Sequence, residues 1–415
     1  MIQRISFGKL LPYLPKCYRI NQYNQISNNA TRDEGNISDT LHTEESLKDV
    51  CDNENELNEE KVSQLLKESA TFTDATDKSW STTPYPKDIV TKQNEERKEI
   101  DPTTKSVFLF PGQGTIKVGM IKKYIKFPVT KELFKIANEI INYDLLNLCM
   151  NGPQQKLNRT EYNQICTVVS SLAALEKVRE ESPEAFENCI ATAGYSVGEI
   201  TALIFSGAIT FEDGIRLVWA RGKAMQAASD KVPQGMVSVF CDINARLSEA
   251  CTNAEKWALD LGVEQPTCRT AIFLCTQRKI LAGSEEALKY IKLHHAKYGL
   301  SNVNQLPVSG AFHTRLMEPA LESVFQALKS IEVHEPRCKV YSNVTTTPYS
   351  NLRYMKKWIM KQIVSPVKWE QCMQKIYSRP DGVAFPQTYD VGSEGRMKSI
   401  LNLINAKACK SCVVI

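Results

Sequence analysis

Residues 193–199, which read AGYSVGE, decide the fold of this chain. The small and apolar residues at 189–192 predict a buried strand before them, and apolar residues recur at helical spacing over 200–204 after them. The two glycines of the motif allow a sharp strand-to-helix turn, which leaves the hydroxyl of Ser196 free at the carboxyl edge of a sheet. The pattern predicts a nucleophilic serine. An ordinary strand–turn–helix with a capping serine is the alternative.

The composition narrows the class of protein. The chain has 415 residues and a formal net charge of only +4, so nothing in it demands nucleic acid as a partner. It has no apolar run near the roughly 18 residues that a membrane span needs. Its 13 cysteines are scattered and odd in number, which indicates a reducing compartment rather than a disulfide framework.

The amino-terminal quarter divides into two segments of opposite charge. Residues 1–32 carry lysines and arginines among apolar residues and no Asp or Glu, which is typical of a mitochondrial transit peptide, with a disordered basic tail as the alternative. Residues 33–104 are acidic and have little to bury, so they predict a flexible linker without catalytic residues. A short helix at 62–69 is possible within that linker.

The remainder predicts an α/β fold with a mainly parallel sheet, because strand and helix patterns alternate. Its core comprises residues 105–233 and 307–408, and residues 234–306 form an inserted subdomain with a βαββαβ-like order. The predicted strands are 106–110, 189–192, 235–240, 270–273, 279–282 and 339–342. The predicted helices are 131–141, 161–180, 210–229 with a capping box at Thr210, 244–261 with Asn244 as its cap, 284–298 and 319–331.

A serine nucleophile needs a base, and His313 is the best candidate by elimination. The other histidines fall in the linker, on a charged helix or in a polar turn, whereas His313 follows the small and apolar residues of a Gly-Ala-Phe run. A structural histidine is the alternative reading. No Asp or Glu stands out as the third member of a triad. Such an acid could exist among the many between Ser196 and His313, or a carbonyl group could hold the imidazole instead.

Arg221 lies on the predicted helix at 210–229 with apolar neighbours three and four residues away on both sides. Its guanidinium therefore projects from the face that should be buried, where an unpaired charge is costly. It needs an anion. The candidates are a protein carboxylate and the carboxylate of an acyl substrate, held by two parallel N–H bonds, while snorkelling to the surface is a third possibility.

Taken together, several motifs in order resemble the malonyl-CoA:acyl carrier protein transacylase family in its mitochondrial form. The resemblance covers about residues 105–404. The motifs are FPGQG at 110–114, GP at 152–153, GYSVGE at 194–199, RGKAMQ at 221–226, PVSGAFHT at 307–314 and VSPVKW at 364–369.

The resemblance implies a two-step mechanism without metal or cofactor. Ser196 would be acylated by malonyl-CoA, with His313 as base, and the malonyl group would pass to the phosphopantetheine thiol of acyl carrier protein. Gln113 and Val197 match the positions whose backbone N–H groups form the oxyanion hole. Arg221 matches the residue that binds the malonyl carboxylate.

Two further positions follow from the same resemblance. Gln362 matches the residue whose main-chain carbonyl orients the histidine, which accounts for the missing acid. Phe312 matches the bulky residue that selects malonyl over branched acyl groups. The family fold is an α/β-hydrolase-like core with an inserted ferredoxin-like subdomain. The implied setting is fatty-acid synthesis in the mitochondrial matrix, and a monomer is expected.

The chain departs from the family at three places. Tyr195 replaces the histidine of bacterial members, VGSEG at 391–395 replaces the usual Val-Gly-Pro-Gly, and Ile272 stands where relatives often have Asn. Two rival functions remain: a serine hydrolase, which needs an acid partner but no Arg221, and a silent module that only docks acyl carrier protein. Lys117, Lys122 and Lys123 could contact an acidic carrier protein.

Overall fold

The computed structural model describes residues 102–415. The predicted transit peptide, the helix predicted at 62–69 and the linker up to residue 101 lie outside the described residues. The last three residues of the predicted linker, Pro102–Thr104, form a 3₁₀ turn that leads into the first strand.

A five-stranded parallel sheet forms the centre of the larger part. Its strands, in spatial order, are β7 (Lys339–Tyr341), β2 (Cys189–Gly194), β1 (Ser106–Phe110), β8 (Gln387–Asp390) and β9 (Cys412–Val414). All residues of β1 are buried, as their continuous apolar run predicts for a strand covered on both faces. The predicted parallel sheet is confirmed, although β8 and β9 lie outside the predicted strands.

The second sheet is antiparallel and has four strands in the order β4–β5–β3–β6. These strands are β3 (Gln234–Cys241), β4 (Cys268–Cys275), β5 (Arg278–Ser284) and β6 (Leu300–Gln305). Together with two helices they enclose a small hydrophobic core of their own. The four strands lie within the span 234–306.

The helices connect and cover these sheets. They are α1 (Pro128–Ile141), α2 (Leu145–Asn151), α3 (Gln154–Leu157), α4 (Thr160–Glu181), α5 (Glu184–Glu187), α6 (Gly198–Phe205), α7 (Phe211–Ser229), α8 (Leu247–Asp260), α9 (Glu285–His294), α10 (Leu321–Lys329), α11 (Leu352–Ile363), α12 (Trp369–Ile376), α13 (Arg396–Ile404) and α14 (Ala406–Cys409). Within residues 102–415, no helix has the length and apolar character that crossing a membrane requires.

Of the two predicted helix caps, one is confirmed and one is wrong. Thr210 caps α7 as predicted, because its hydroxyl accepts a hydrogen bond of 3.2 Å from the N–H of Asp213. Asn244 is wrong as a cap, since α8 begins at Leu247 with Arg246 in the cap position. The helix predicted at 284–298 is α9 followed by a 3₁₀ turn, His295–Tyr298.

The two sheets are joined at the loop between α11 and α12. Val367 pairs with β4 beside Ile272. Its N–H donates to the carbonyl of Ala271 and its carbonyl accepts from the N–H of Phe273, both over 2.9 Å. This contact holds the edge of the antiparallel sheet over the carboxyl end of the parallel sheet, where β2 ends at the predicted serine.

Candidate active site

The turn after β2 has the geometry that exposes a nucleophile. Ser196 adopts a left-handed backbone conformation, with φ of 54°, between the end of β2 and the start of α6. Gly194 and Gly198, on either side of the serine, do not have positive φ; they are needed because other backbone segments pack closely against them. A Cβ on Gly194 would lie 1.8 Å from the backbone of Gly198, and one on Gly198 would lie 2.4 Å from the carbonyl oxygen of Pro111. The strain is therefore carried by the serine itself.

Ser196 and His313 are in direct contact. The Oγ atom of Ser196 lies 2.8 Å from Nε2 of His313. The Nδ1 atom of that ring lies 2.7 Å from the main-chain carbonyl oxygen of Gln362. Because a carbonyl can only accept, Nδ1 carries the proton and Nε2 is left to accept from the serine hydroxyl. The neutral imidazole is thus held in the tautomer that a general base requires.

Arg221 is buried behind the serine, as the pattern of α7 predicts; its residue is 1% exposed. Its Nη1 donates to Oε1 of Gln164 over 2.6 Å, and its Nη2 donates to Oε1 of Gln362 over 2.9 Å. A second contact of Nη2 is Oγ of Ser196 at 3.3 Å. Both strong acceptors are neutral amides. Among the ion pairs of residues 102–415, none includes Arg221.

Sequence reasoning missed two polar residues beneath the serine, Asn343 and Glu199. The N–H of Ser196 donates to Oδ1 of Asn343 over 2.9 Å, and Nδ2 of Asn343 donates to the carbonyl of Gly194 over 2.9 Å. Glu199 accepts from the N–H of Asn343 over 3.1 Å and from Nε2 of Gln362 over 2.6 Å. A polar run directly after the predicted strand at 339–342 was the signal for Asn343.

Burial shifts the pKa values of the site in ways that matter for chemistry. Desolvation, and then the nearby charge of Arg221, lower the pKa of His313 to about 4. Desolvation also lowers the pKa of Arg221 to about 10, which leaves it a cation at neutral pH. The pKa of Glu199 rises to about 7 by desolvation, despite the hydrogen bonds from Tyr349 and Gln362 that favour its ionised form.

The loop that contains Gln113 lies against the serine turn. The N–H of Tyr195 donates to the carbonyl of Phe110, and a Cβ on Gly112 would lie 2.6 Å from the carbonyl oxygen of Tyr195. Neither the N–H of Gln113 nor that of Val197 has an acceptor among residues 102–415. Val197 directly follows Ser196 in the chain and Gln113 lies in the adjacent loop, so the N–H groups of both predicted donors are unused near the serine.

A cavity of about 350 Å³ lies between the two sheets and reaches the serine. Ser196, His313 and Phe312 line it, together with apolar residues from both parts of the chain. Arg221 sits behind this lining, where Gln164 and Ser196 separate it from the open space. The cavity offers an apolar channel that ends at a nucleophile with a buried cation behind it.

The departures from the family pattern have local explanations. Tyr195 packs edge-on against the ring of Trp369, with centroids 5.3 Å apart. Ile272 is buried in the cavity wall beside the junction of the sheets. In the loop at 391–395, the hydroxyl of Ser393 donates to Asp390 and accepts from the N–H of Met397 in the first turn of α13, whose cap residue is Gly395.

The lysines predicted to meet a carrier protein are all exposed, but they differ in environment. Lys117 forms an ion pair of 3.2 Å with Glu394, in the loop that departs from the family. Partial desolvation lowers the pKa of Lys123. Lys122 and Lys123 lie on the same 3₁₀ turn, Met120–Lys123.

Comparison with known proteins agrees with this arrangement. Residues 107–385 match the acyl transferase domain family. The chain is 44% identical over 319 residues to a probable mitochondrial malonyl-CoA-acyl carrier protein transacylase of Drosophila melanogaster, which covers 77% of this chain and 84% of that protein. It is also 44% identical over 306 residues to the mitochondrial malonyl-CoA-acyl carrier protein transacylase of Homo sapiens, covering 74% of this chain and 78% of the human protein.

The fold has solved counterparts as well. The malonyl CoA-acyl carrier protein transacylase of Coxiella burnetii superposes with a TM-score of 0.67 at 25% sequence identity, over 76% of this chain and 95% of the bacterial one. Both the sequence and the architecture are thus shared over nearly the whole described region. The chain belongs to the acyl transferase family, within its branch of mitochondrial malonyl-CoA-acyl carrier protein transacylases.

Proposed function

We propose that this enzyme transfers the malonyl group from malonyl-CoA to the phosphopantetheine thiol of acyl carrier protein, through a malonyl-Ser196 intermediate, in mitochondrial fatty-acid synthesis. The observation that carries the proposal is Arg221. It is a buried cation beside the nucleophile whose nearest acceptors are neutral amides and the serine hydroxyl. A free carboxylate on the acyl group supplies the direct anionic partner that Arg221 lacks, with paired N–H bonds, since the carboxylate of Glu199 acts on the guanidinium only across the amide of Gln362.

The first step is acylation of the serine. The Oγ of Ser196 attacks the thioester carbonyl while its proton passes to Nε2 of His313. The N–H groups of Gln113 and Val197 donate to the oxyanion that forms. When the tetrahedral intermediate collapses, the carbon–sulfur bond breaks and coenzyme A leaves with the proton from the imidazolium.

The second step reverses the roles. The thiol of the phosphopantetheine arm gives its proton to His313 and attacks the malonyl-serine carbonyl. The serine oxygen leaves and recovers the proton from the imidazolium, so the enzyme returns to its starting state. The main-chain carbonyl of Gln362, 2.7 Å from Nδ1, holds the ring in one tautomer and stabilises the imidazolium in both steps.

Arg221 couples recognition to this proton transfer. Its positive charge lowers the pKa of His313, which makes the imidazolium of the transition state costly. A malonyl carboxylate bound to the guanidinium offsets that charge and makes protonation of the ring easier. An uncharged acyl group gives no such relief. The enzyme then favours a charged acyl group in two ways: the carboxylate binds to Arg221, and the bound carboxylate also makes acylation of Ser196 faster.

Phe312 limits the size of the acyl group. Its ring is buried in the cavity wall next to His313. An additional methyl at the α-carbon of the acyl group would press against this ring. We infer that Phe312 selects malonyl over branched acyl groups.

Further proposals concern the chain as a whole. The four-stranded order β4–β5–β3–β6, with all pairs antiparallel, supports a ferredoxin-like assignment for the smaller sheet, and the strand–serine–helix turn supports an α/β-hydrolase-like core. The basic, acid-free residues 1–32 and the mitochondrial relatives support import into the matrix. Since Ser196, His313 and Arg221 all come from one chain, a monomer is sufficient for the chemistry.

The test is transfer itself. Purified protein is incubated with malonyl-CoA and with acyl carrier protein that carries the phosphopantetheine arm, and the carrier is weighed by mass spectrometry. We expect malonylated carrier, and none with carrier that lacks the arm. Release of free malonate without malonylated carrier would favour the serine hydrolase. No consumption of malonyl-CoA would favour the silent docking module.

A further inference from the structure

Glu199 is a buried carboxyl group that the mechanism above does not use. It lies in the first turn of α6 and is 1% exposed. The hydroxyl of Tyr349 donates to its Oε1. Its Oε2 accepts from Nε2 of Gln362 over 2.6 Å and from the N–H of Asn343 over 3.1 Å. These three donors suit an ionised carboxylate, which only accepts.

Gln362 connects this carboxylate to the rest of the site. Its Oε1 accepts from Arg221 over 2.9 Å, and its Nε2 donates both to Glu199 and to the carbonyl of Ser196, the latter over 2.9 Å. If the amide were rotated by half a turn, its NH₂ would face the guanidinium and its oxygen would face the carboxylate. Both contacts would be repulsive, so the charges of Arg221 and Glu199 together fix one orientation.

The same residue also supports the base. The main-chain carbonyl of Gln362 accepts from Nδ1 of His313. A disturbance of Gln362 would therefore reach the imidazole, the guanidinium and the serine turn together. Small displacements of groups at a reacting centre are costly, since a shift of about 1 Å can reduce rates by about 10²-fold.

We propose that Glu199 is a positioning residue, whose carboxylate holds the amide of Gln362 so that Arg221, His313 and Ser196 keep their reactive geometry. The proposal rests on the proposed malonyl transfer and deepens it. Glu199 touches neither the serine hydroxyl nor the imidazole. Its hydrogen bonds reach the site through Gln362 and Asn343.

The positioning requires the ionised form, because a protonated carboxyl would present an O–H to donors. The groups whose charge or hydrogen bonds act on this carboxyl are Tyr349, Gln362, Asn343, Ser342, the thiol of Cys372 and, across the site, Arg221. Desolvation raises its pKa to about 7. Activity should therefore fall as the pH drops through about 7. With a reagent that carries no carboxylate, His313 does not explain such a change, since its pKa is held near 4.

The experiment measures single-turnover acylation of Ser196 by malonyl-CoA between about pH 5 and about pH 9. In parallel, an uncharged serine-reactive sulfonyl fluoride labels Ser196 over the same range. The wild-type protein is compared with Glu199→Gln and Tyr349→Phe, and circular dichroism checks their folding. The sulfonyl fluoride reports the geometry of serine and base independently of the acyl substrate.

We expect the wild-type rate to fall below about pH 7 with both reagents. Glu199→Gln should be slower by about 10- to 100-fold and should lack this inflection. Tyr349→Phe removes a hydrogen bond that lowers the pKa of Glu199, so its inflection should move to higher pH. If Glu199→Gln does not fold, the shift of the inflection to higher pH in Tyr349→Phe tests the proposal on its own.

The inference is overturned if Glu199→Gln keeps the wild-type rate, or if it and Tyr349→Phe keep the wild-type inflection at the same pH. Failure of the proposed function looks different. In that case malonyl-CoA leaves no adduct on the wild-type serine, while labelling by the sulfonyl fluoride still shows the inflection and its changes in the two variants.

Discussion

The Nη2 atom of Arg221 lies 3.3 Å from the Oγ atom of Ser196, inside a site where the guanidinium has neutral acceptors only. A malonyl group has its carboxylate one methylene away from its thioester carbonyl. A cation next to the nucleophile can therefore bind the carboxylate while the carbonyl stands at the serine. This spacing links selection of the acyl group to its reaction.

The first prediction concerns the loss of that cation. In Arg221→Ala, kcat/KM for malonyl-CoA should fall by about 10²-fold or more, because a buried charge pair with the substrate is lost. Acylation by acetyl-CoA should change much less, because the acetyl group has no carboxylate. The measurement is serine acylation by both thioesters under the same conditions.

Arg216→Ala is the matched control for this change. Arg216 lies on the same helix, but it is exposed and pairs with Asp213 over 2.8 Å. We expect its malonyl and acetyl rates to equal those of the wild type. An equal loss of both rates in Arg221→Ala would contradict a role in binding the carboxylate.

The second prediction concerns protonation of His313. Because burial and Arg221 lower its pKa to about 4, the ring should stay neutral well below the usual titration range of histidine. NMR titration of the ring, assigned with His313→Gln, measures this directly. Addition of free malonate should raise the pKa, since the dicarboxylate offsets the charge of Arg221. A ring that titrates near 6.5 already in the absence of malonate, or whose pKa malonate does not raise, would contradict this account.

The same shift has a consequence for stability. The unfolded chain binds a proton on this histidine at a higher pH than the folded chain does. The contribution of His313 to the free energy of unfolding is therefore fully present above about pH 6.5, the pKa of this histidine in the unfolded chain. It is lost as the pH falls from about 6.5 towards about 4. Urea unfolding of wild type and His313→Gln across this range should show a smaller loss in the variant.

The third prediction concerns the serine turn. Gly194→Ala should severely destabilise the protein or displace the turn, because the new Cβ would lie 1.8 Å from the backbone of Gly198. The control is Gly262→Ala, where the Cβ meets open space and only the left-handed φ of 84° is unfavourable, at a cost of about 1 kcal/mol. Thermal unfolding of both variants gives the comparison. Similar melting temperatures for the two variants would show that the close contact between Gly194 and Gly198 does not determine the stability of the fold.

The fourth prediction concerns acyl selectivity. Phe312→Ser should raise the ratio of methylmalonyl to malonyl acylation by about tenfold, as expected for removing a steric clash with one methyl group. Phe325→Ser is the control, since Phe325 is 41% exposed on α10, outside the cavity lining. Its ratio should equal that of the wild type. An unchanged ratio in Phe312→Ser would exclude the ring as the selecting group.

Much of the site could be predicted from the sequence because its key residues leave local signals. The glycines around Ser196 mark a sharp turn, and the apolar neighbours of Arg221 predict its burial, which the structure confirms. The small residues before His313 distinguish it from the other histidines. The pattern alone left the choice between a protein carboxylate and a substrate for Arg221 open, and the family resemblance favoured the substrate; the structure adds that its hydrogen-bond acceptors are two neutral amides and the serine hydroxyl.

The supporting network could not be predicted in the same way. Asn343 and Gln164 reach the site only through tertiary packing, and although Glu199 lies three residues after Ser196, a single polar residue in a sequence does not reveal a partner about 150 positions away. Gln362 came from the family resemblance alone. The helix that carries it, α11, was missed, although its buried residues Met355, Ile359 and Ile363 recur at helical spacing.

The most direct test of the central claim is the mass of the protein after brief exposure to malonyl-CoA. We predict a single malonyl adduct that peptide mapping places on Ser196, that is absent in Ser196→Ala and that disappears when acyl carrier protein with its phosphopantetheine arm is added. An unmodified Ser196 in folded protein, or an adduct on another residue, would contradict the account.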